Sequence, residues 1–344
     1  MKNVMMIIAA MALLSGLANA ARAAEKELNI YCWDEYLPKD VLEDFTKRTG
    51  VKVTLTLYDS NEAMLAKVAS GVTSYDLIFP SEYAVRVLAE KKLVRELDKS
   101  KIPNWKNLDE RLLDKNYDPG NKFAMPYFFG TTGIGFNKKV VGEVDSWKVL
   151  FDAKYSGKIM MLKDMRECFT AALKVMGKSV NEKDPAILKL AGQMLKEQKK
   201  LVKAYDSDNF AEELRRGTVA LAQGYNGQIA KLVAEEPEKF GYVVPREGAT
   251  VWIDNICIPT KAANPEAAHA FINYVLEPEI GARIVNAANY ASANKAAKEK
   301  IKPEIANNPS VYPPEEVLKR CEFMEHLGKA GAVEAAIWRE IKTE

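Results

Sequence analysis

Aromatic and acidic side chains occur together at several places in this sequence. The densest group is Trp33-Asp34-Glu35-Tyr36, and Ser81-Glu82-Tyr83 is a second one. The others are Asp164 with Glu167, the single Tyr225, and the segment Val251-Trp252-Ile253-Asp254-Asn255. The face of an aromatic ring attracts a cation, and a carboxylate accepts hydrogen bonds from the cation's N–H groups. This combination is typical of a site for an organic cation.

Strands and helices alternate along the chain that carries these groups. Short apolar or β-branched runs predict strands at 28–32, 51–58, 76–79, 158–162 and 218–223. A helix is predicted after Pro38, with Val41, Leu42 and Phe45 on one face and Gly50 at its end. Two more helices are predicted, at 61–69 and after Ser81. This alternation favours an α/β fold with mostly parallel sheets.

Four of the groups fall just past the carboxyl end of a predicted strand, where open α/β sheets bind ligands. The fifth lies within a strand, so Trp252 and Asp254, two residues apart, point into one space. Each residue also has an ordinary structural interpretation. A single aromatic near a strand usually packs in the core, and Asp164 is placed to cap a helix that begins near Arg166. Only the coincidence of several groups at corresponding strand ends favours a site.

Composition and motifs exclude several classes of function. The 49 basic residues nearly balance 47 acidic ones, which is unlike a nucleic-acid-binding protein. The only histidines, His269 and His326, form no HExxH motif, and Gly130 and Gly135 have P-loop spacing without the Lys that follows it. We therefore predict no metal and no cofactor. Asp164 and Glu167 leave an acid–base enzyme open, because the sequence does not give the distance between them.

The four cysteines, Cys32, Cys168, Cys257 and Cys321, contain no CxxC motif. We predict buried free thiols in preference to a soft-metal site. A disulfide stays open, with three possible pairings.

Residues 1–23 have the features of a signal peptide. Lys2 precedes an apolar stretch at 4–14, and small residues at 18–20 and 21–23 offer cleavage sites. The alternative, a buried N-terminal helix, fits these flanking residues poorly. No later apolar run reaches the ~18 residues of a membrane span, and no Cys follows the apolar stretch. We therefore expect an exported periplasmic protein without a lipid anchor.

Several motifs together resemble the periplasmic spermidine/putrescine-binding proteins of polyamine ABC transporters, along nearly the whole mature chain. They are 31–36 (YCWDEY), 75–81 (YDLIFPS), 164–167 (DMRE), 207–209 (SDN), 251–254 (VWID) and 289–290 (NY). The resemblance implies a two-lobed periplasmic binding protein fold, type II-like, with crossing hinge strands and the ligand between the lobes. It implies a first lobe of 24–132 plus 253–300 and a second lobe of 133–252 plus 301–344.

The resemblance also implies roles for individual residues. The methylene chain would lie between Trp33, Tyr36, Tyr83, Trp252 and Tyr290. Asp164, Glu167 and Asp254 would bind the charged nitrogens, with Glu35, Ser81 and Ser207 as supporting polar contacts. The chain departs from the family at Tyr225, where spermidine binders often have Trp, and at Asp34, where they have a hydroxyl residue. A third departure is Met324, which aligns with a ligand-contacting Gln of some members. We include Asp34 and Tyr225 among the ligand-binding residues.

The function predicted from the sequence is a non-enzymatic receptor that delivers spermidine or putrescine to an inner-membrane ABC permease. We expect a monomer that binds no nucleic acid. Two alternatives stay open. One is a polyamine sensor that docks on a membrane signalling protein, and the other is a periplasmic enzyme with Asp164 and Glu167 as acid and base.

Overall fold

The structure, a computed structural model, describes residues 27–343. The predicted signal peptide and the absence of a lipid anchor therefore concern residues outside this range. Within residues 27–343, no helix has the length and apolar character needed to cross a membrane.

Ten strands and thirteen α-helices make up the described chain. The strands are β1 Glu27–Cys32, β2 Lys52–Leu57, β3 Leu77–Ile78, β4 Ala124–Asn137, β5 Ile159–Met161, β6 Val202–Tyr205, β7 Leu221–Tyr225, β8 Phe240–Val243, β9 Val251–Cys257 and β10 Ala291–Ser292. The helices are α1 Lys39–Thr49, α2 Asn61–Ser70, α3 Glu82–Glu90, α4 Lys138–Val141, α5 Met165–Val175, α6 Pro185–Lys199, α7 Phe210–Arg215, α8 Asn226–Glu235, α9 Pro265–Val275, α10 Pro278–Ala288, α11 Pro303–Ala306, α12 Glu315–Leu318 and α13 Lys329–Thr343. Short 3₁₀ segments lie at Lys99–Lys101, Pro103–Asn107, Glu110–Leu112, Trp147–Phe151, Ala153–Tyr155 and Lys295–Lys300.

The long strand β4 connects two lobes. Its first part, up to Thr131, pairs with β9 in a first sheet of order β2-β1-β3-β9-β4. From Thr132 onward it pairs with β7 and β8 in a second sheet, which β5 and β6 extend. The chain passes to the second sheet along β4 and returns to the first along β9. The predicted two-lobed α/β fold with crossing strands is confirmed.

The expectation of mostly parallel sheets is wrong. The pairs β1–β2, β1–β3, β5–β6 and β5–β7 are parallel. All pairs that involve β4 or β9 are antiparallel. The crossing strands β4 and β9 run against each other because one enters the second lobe and the other leaves it. No strand was predicted at Ala124–Asn137, where β4 lies, so the antiparallel pairs at the centre of the fold were not expected.

Each sheet is covered on both faces, as an α/β fold requires. In the first sheet, Leu28 and Ile30 of β1 pack into one apolar cluster and Tyr31 into another. In the second sheet, Ile159 and Met161 pack into one cluster and Met160 into the opposite one. Successive strand residues point to opposite faces, so these alternations show that both faces are buried. The carboxyl ends of the strands are left as the exposed edge that faces the cleft.

The helix that follows Pro38 forms as predicted. It spans Lys39–Thr49, with Val41 and Phe45 buried and Gly50 as its C-cap in the left-handed conformation at φ 72°. Pro38 itself is the N-cap residue, one position before the first turn. This helix covers one face of the first sheet and fixes the loop that carries Trp33 to Tyr36.

The predicted lobe boundaries stay a prediction, with one revision that we propose. Side chains of Ile301, Ile305 and Val311 pack in an apolar cluster of the first lobe. Val317, Cys321 and Trp338 pack in a cluster of the second lobe. We therefore propose that the last segment of the second lobe begins after Val311 instead of at residue 301.

The four cysteines are free thiols. Cys32, Cys168 and Cys257 are buried, whereas Cys321 is partly exposed. Burial raises the pKa of Cys32, Cys168 and Cys257 above the ordinary thiol value. Three of the four therefore behave as small apolar core residues, as predicted.

Candidate functional site

A cleft lies between the two lobes at the carboxyl ends of their strands. It encloses about 670 Å³ of empty space, including its opening to solvent. Its walls come from both lobes, with Trp33 and Tyr83 on one side and Asp164 and Ser207 on the other. The site is therefore complete only when the lobes approach each other.

Twelve of the thirteen predicted site residues line this cleft. They are Trp33, Asp34, Tyr36, Ser81, Tyr83, Asp164, Glu167, Ser207, Tyr225, Trp252, Asp254 and Tyr290. The residues predicted from their positions at strand ends thus lie around a single cavity. Tyr225 was expected past the end of its strand, but the strand is Leu221–Tyr225, and Tyr225 is its last residue.

Glu35 is the exception: it does not line the cavity, and its contact with a ligand stays a prediction. Its carboxylate lies outside the cavity lining and accepts a hydrogen bond of 2.8 Å from Lys231 Nζ of the other lobe. Glu35 has a φ of 58°, in the left-handed region. A positive φ is uncommon for a residue other than glycine, and no local sequence pattern marks it at Glu35.

Asp254 is a buried acid of the cleft, supplied by the first lobe. Its Oδ1 accepts a hydrogen bond of 2.6 Å from Ser81 Oγ, and its Oδ2 accepts one from the Tyr36 hydroxyl. Asn61 Nδ2 in turn donates to Ser81 Oγ at 2.9 Å. Burial raises the pKa of Asp254 to about 6, although the two hydroxyl groups favour the charged form. The carboxylate is thus held in place by neutral donors and has no cation of its own among the described residues.

Asp164 and Glu167 stand together on the second lobe. Asp164 Oδ1 caps α5 by accepting the Glu167 N–H at 3.1 Å, so the helix-cap interpretation holds while the residue also lines the cavity. Glu167 accepts hydrogen bonds of 2.8 Å from the hydroxyls of Thr132 and Thr250. Burial, followed by the charge of Asp164, raises the pKa of Glu167 to about 8. Burial also raises the pKa of Asp164.

Aromatic rings cover the walls between these acids. The rings of Trp252 and Tyr290 lie 5.5 Å apart between centroids, and those of Tyr36 and Tyr290 lie 5.6 Å apart. Tyr225 meets Trp252 edge to face at 6.2 Å. Trp33 is anchored by its indole N–H, which donates to the Phe79 carbonyl at 2.8 Å. These rings offer apolar faces to a chain that passes between the acids.

The sequence interpretation missed some of the lining. The missed residues are Asp59, Asn61, Glu82, Asp208, Gln228, Thr250 and Met324, the last of which was noted only as a departure from the family. The strand-end rule could have found Asp59, because it follows β2 by two residues, and Asp208 adjoins the predicted Ser207. No local pattern marked Gln228, which lies on α8, or Thr250, which directly precedes β9, because only the tertiary structure brings these two residues to the cavity.

Gly227 fixes the position of one aromatic wall. A Cβ atom at this residue would lie 2.5 Å from ring carbons of Tyr290. We expect Gly227→Ala to displace the Tyr290 ring and weaken ligand binding about tenfold, with little loss of helix stability because Ala favours α8. Gly331→Ala is the matched control, since its nearest neighbouring atom would be 3.6 Å away. Calorimetric titration of both variants checks this, and equal affinities would contradict it.

Comparisons with known proteins agree with this geometry. Residues 40–313 match the family model described as bacterial extracellular solute-binding protein. The chain is 35% identical over 339 residues to the spermidine/putrescine-binding periplasmic protein of Escherichia coli, covering 98% of this chain and 97% of that one. It is 35% identical over 364 residues to the putrescine-binding periplasmic protein SpuD of Pseudomonas aeruginosa, covering 100% and 99%.

A solved structure is similar over the whole fold. The protein from Listeria monocytogenes assigned to a spermidine/putrescine ABC transporter superposes with a TM-score of 0.89 at 35% identity, covering 92% of this chain and 99% of that one. Sequence, fold and the place of the cleft all lead to one family. The chain belongs to the bacterial extracellular solute-binding proteins, the family that includes the spermidine/putrescine-binding periplasmic proteins.

Proposed function

We propose that this protein is a polyamine receptor that encloses its ligand between the two lobes. The observation that carries the proposal is the charge of the cavity. Seven carboxylates and six aromatic rings line it, and no Lys, Arg or His belongs to the lining in the described chain. A flexible cation with several ammonium groups and apolar methylenes between them fits such a lining.

The acids and the aromatic rings of the cavity are proposed to contact different parts of the ligand. Asp254 on the first lobe and Asp164 with Glu167 on the second lobe are proposed to accept hydrogen bonds from ammonium groups. A hydrogen bond to a charged group contributes roughly 1.5–3 kcal/mol. Trp33, Tyr36, Tyr83, Trp252 and Tyr290, with Tyr225, are proposed to cover the methylene chain, where each cation–π contact contributes about 0.5–2 kcal/mol. Ser81 and Ser207 orient the acids and the wall.

The names of the relatives support the same ligand class. The Escherichia coli protein is named for spermidine and putrescine, and the Pseudomonas aeruginosa protein for putrescine. Both are named as periplasmic, and the Listeria protein as part of an ABC transporter. We propose by extension that this chain acts in the periplasm and delivers the polyamine to an ABC permease. Closure of the lobes would form the surface that the permease recognises, by the hinge motion of periplasmic binding proteins.

A thermal shift tests the proposed function. A ligand that binds only the folded state, present at about 100 times its Kd, raises stability by ~2.7 kcal/mol. The unfolding entropy is ~2.1 cal/mol/K per residue, so we expect putrescine or spermidine at millimolar concentration to raise the melting temperature of a chain of this length by about 4 °C. Butylamine, which has the four-carbon chain of putrescine but only one ammonium group, is the control and should shift the melting temperature far less. Melting unchanged by any polyamine, together with a clear shift by another solute, would refute the proposal.

A further inference from the structure

One lysine of the second lobe reaches across the opening of the cleft. Lys163 follows β5 and directly precedes Asp164, and its backbone N–H donates to Ser207 Oγ at 3.0 Å. Its ammonium group donates to Asp59 Oδ2, on the loop after β2 in the first lobe. Lys163 is therefore fixed to the cavity wall at its backbone and joined to the opposite wall at its tip.

The partner of the Lys163 ammonium, Asp59, belongs to an outer acid group, which we define as the solvent-accessible acids of the lining, Asp34, Asp59 and Asp208. All three line the cavity. Burial raises the pKa of Asp208, and the charges of Asp206, Asp34 and Asp59, in that order, raise it further. The pKa of Lys163 is raised first by its hydrogen bond to Asp59 and then by the negative charges of Asp59 and Asp208. The electrostatic environment thus joins these acids into one group with a single lysine among them.

The inner acids Asp254, Asp164 and Glu167 differ from this outer group. Asp254 and Glu167 accept hydrogen bonds from neutral hydroxyls, and Asp164 accepts a backbone N–H. Among the ion pairs of residues 27–343, none involves these three side chains, whereas Asp59 is paired with Lys163. The inner acids of the cavity therefore form no ion pair in the described chain, whereas the outer acid Asp59 is paired with Lys163.

We propose that Lys163 is a specificity-determining residue that fills the outer cation position with its own ammonium group. This inference rests on the proposed polyamine function. A diamine needs to reach only the inner acids, so Lys163 does not oppose it. A longer polyamine brings a further ammonium group toward the outer acids, where it must displace Lys163 from Asp59 or remain unpaired. The receptor is accordingly matched to a diamine such as putrescine.

A purely mechanical role for Lys163 predicts a different result. Lys163–Asp59 joins the two lobes, and so does Lys231–Glu35. Loss of either pair would destabilise the closed state and weaken the binding of all ligands equally. Glu35 lies outside the cavity lining, so its pair with Lys231 has only this mechanical role. Lys231→Met is therefore the matched control for Lys163→Met.

Calorimetric titration with putrescine, spermidine and spermine tests the inference on the mature wild-type protein and three variants. In Lys163→Met we expect the affinities for spermidine and spermine, relative to putrescine, to rise about fivefold, the upper range for a partly exposed ion pair. Lys163→Arg, which keeps the charge, and Lys231→Met are expected to keep the wild-type ratios.

Each outcome decides a separate point. Wild-type ratios in Lys163→Met, with wild-type protein that binds polyamines, overturn the specificity role alone. An equal rise of the ratios in Lys231→Met also overturns it, because the effect would then come from lobe closure. Absence of polyamine binding in the wild type and in every variant overturns the proposed function and the inference together.

Discussion

Polyamine affinity is expected to fall at least about tenfold when the pH is lowered from 8 to 5.5. Burial raises the pKa of Glu167 to about 8 and that of Asp254 to about 6. An ammonium ligand prefers both groups charged, so binding lowers these pKa values and releases protons. When the pH is below the pKa of one of these carboxyls, the carboxyl is protonated in the empty protein. Its proton must be released before the carboxylate can accept a hydrogen bond from an ammonium group, so binding weakens as the pH falls.

The stability of the empty protein is expected to depend on pH in the opposite sense. A carboxyl whose folded pKa lies above its unfolded value binds its proton more tightly in the folded state. Its contribution to the free energy of unfolding is therefore largest at low pH and is lost as the pH rises from about 4 through the folded values of 6 and 8. Ligand binding opposes this loss, so the ligand-induced thermal shift grows with pH.

Calorimetry at several pH values, in buffers of different ionisation enthalpy, measures both the affinity and the protons released. Glu167→Gln is the informative variant. It removes one of the two lining carboxyls whose pKa burial raises to about 8, the other being Glu82. The dependence of affinity on pH between 7 and 8 should therefore become shallower, while that between 5.5 and 6.5 remains. An affinity independent of pH from 5.5 to 8 in the wild type, without proton release, would contradict the proposed roles of both carboxyls.

The sequence predicted those parts of the site that depend on local pattern. Trp33 and Asp164 were found because each follows a strand end, and Trp252 and Asp254 because a strand alternates its faces. The two interpretations of Asp164, as a helix cap and as a site residue, turned out to be compatible, since one oxygen caps α5 while the side chain lines the cleft.

The central strand β4 could not be recognised from the sequence because it contains residue types that allow close packing but are rare in strands. Pro and Gly are depleted in ordinary strands, and β4 contains Pro126, Gly130, Gly133 and Gly135. A Cβ atom at Gly130 would lie 2.5 Å from the Trp252 ring, and one at Gly135 would lie 2.3 Å from Ile229. Gly130, which leaves room for the Trp252 ring, is thus one of the residues that concealed the strand. Contacts between lobes, such as Lys231 with Glu35, are equally invisible to local pattern.

Asp254→Asn is expected to weaken polyamine binding about ten- to a hundredfold, because the substitution keeps the shape of the side chain and removes its charge. A charge-assisted hydrogen bond in an enclosed site contributes roughly 1.5–3 kcal/mol. The stability of the empty protein is expected to fall little at neutral pH. Ser81 can still donate to the amide oxygen, and the amide N–H₂ can donate to the Tyr36 hydroxyl in place of the lost contact. Burial already opposes the charged form of Asp254, so removal of that charge offsets the altered hydrogen bonds.

Asp118→Asn is the control that separates a binding role of Asp254 from a structural one. Asp118 is also buried, but its two oxygens accept the backbone N–H groups of Lys122, Phe123 and Ala124, away from the cavity lining. The control should therefore lower the melting temperature and leave polyamine affinity unchanged, the reverse of the result for Asp254→Asn. Both quantities are measured on both variants, by thermal melting and by calorimetric titration with putrescine. If Asp254→Asn melts early and binds with wild-type affinity, Asp254 is a structural residue like Asp118. The cation position of Asp254 must then be assigned among the other buried acids of the lining, Asp164, Glu167 and Glu82, none of which has an ion-pair partner in the described chain.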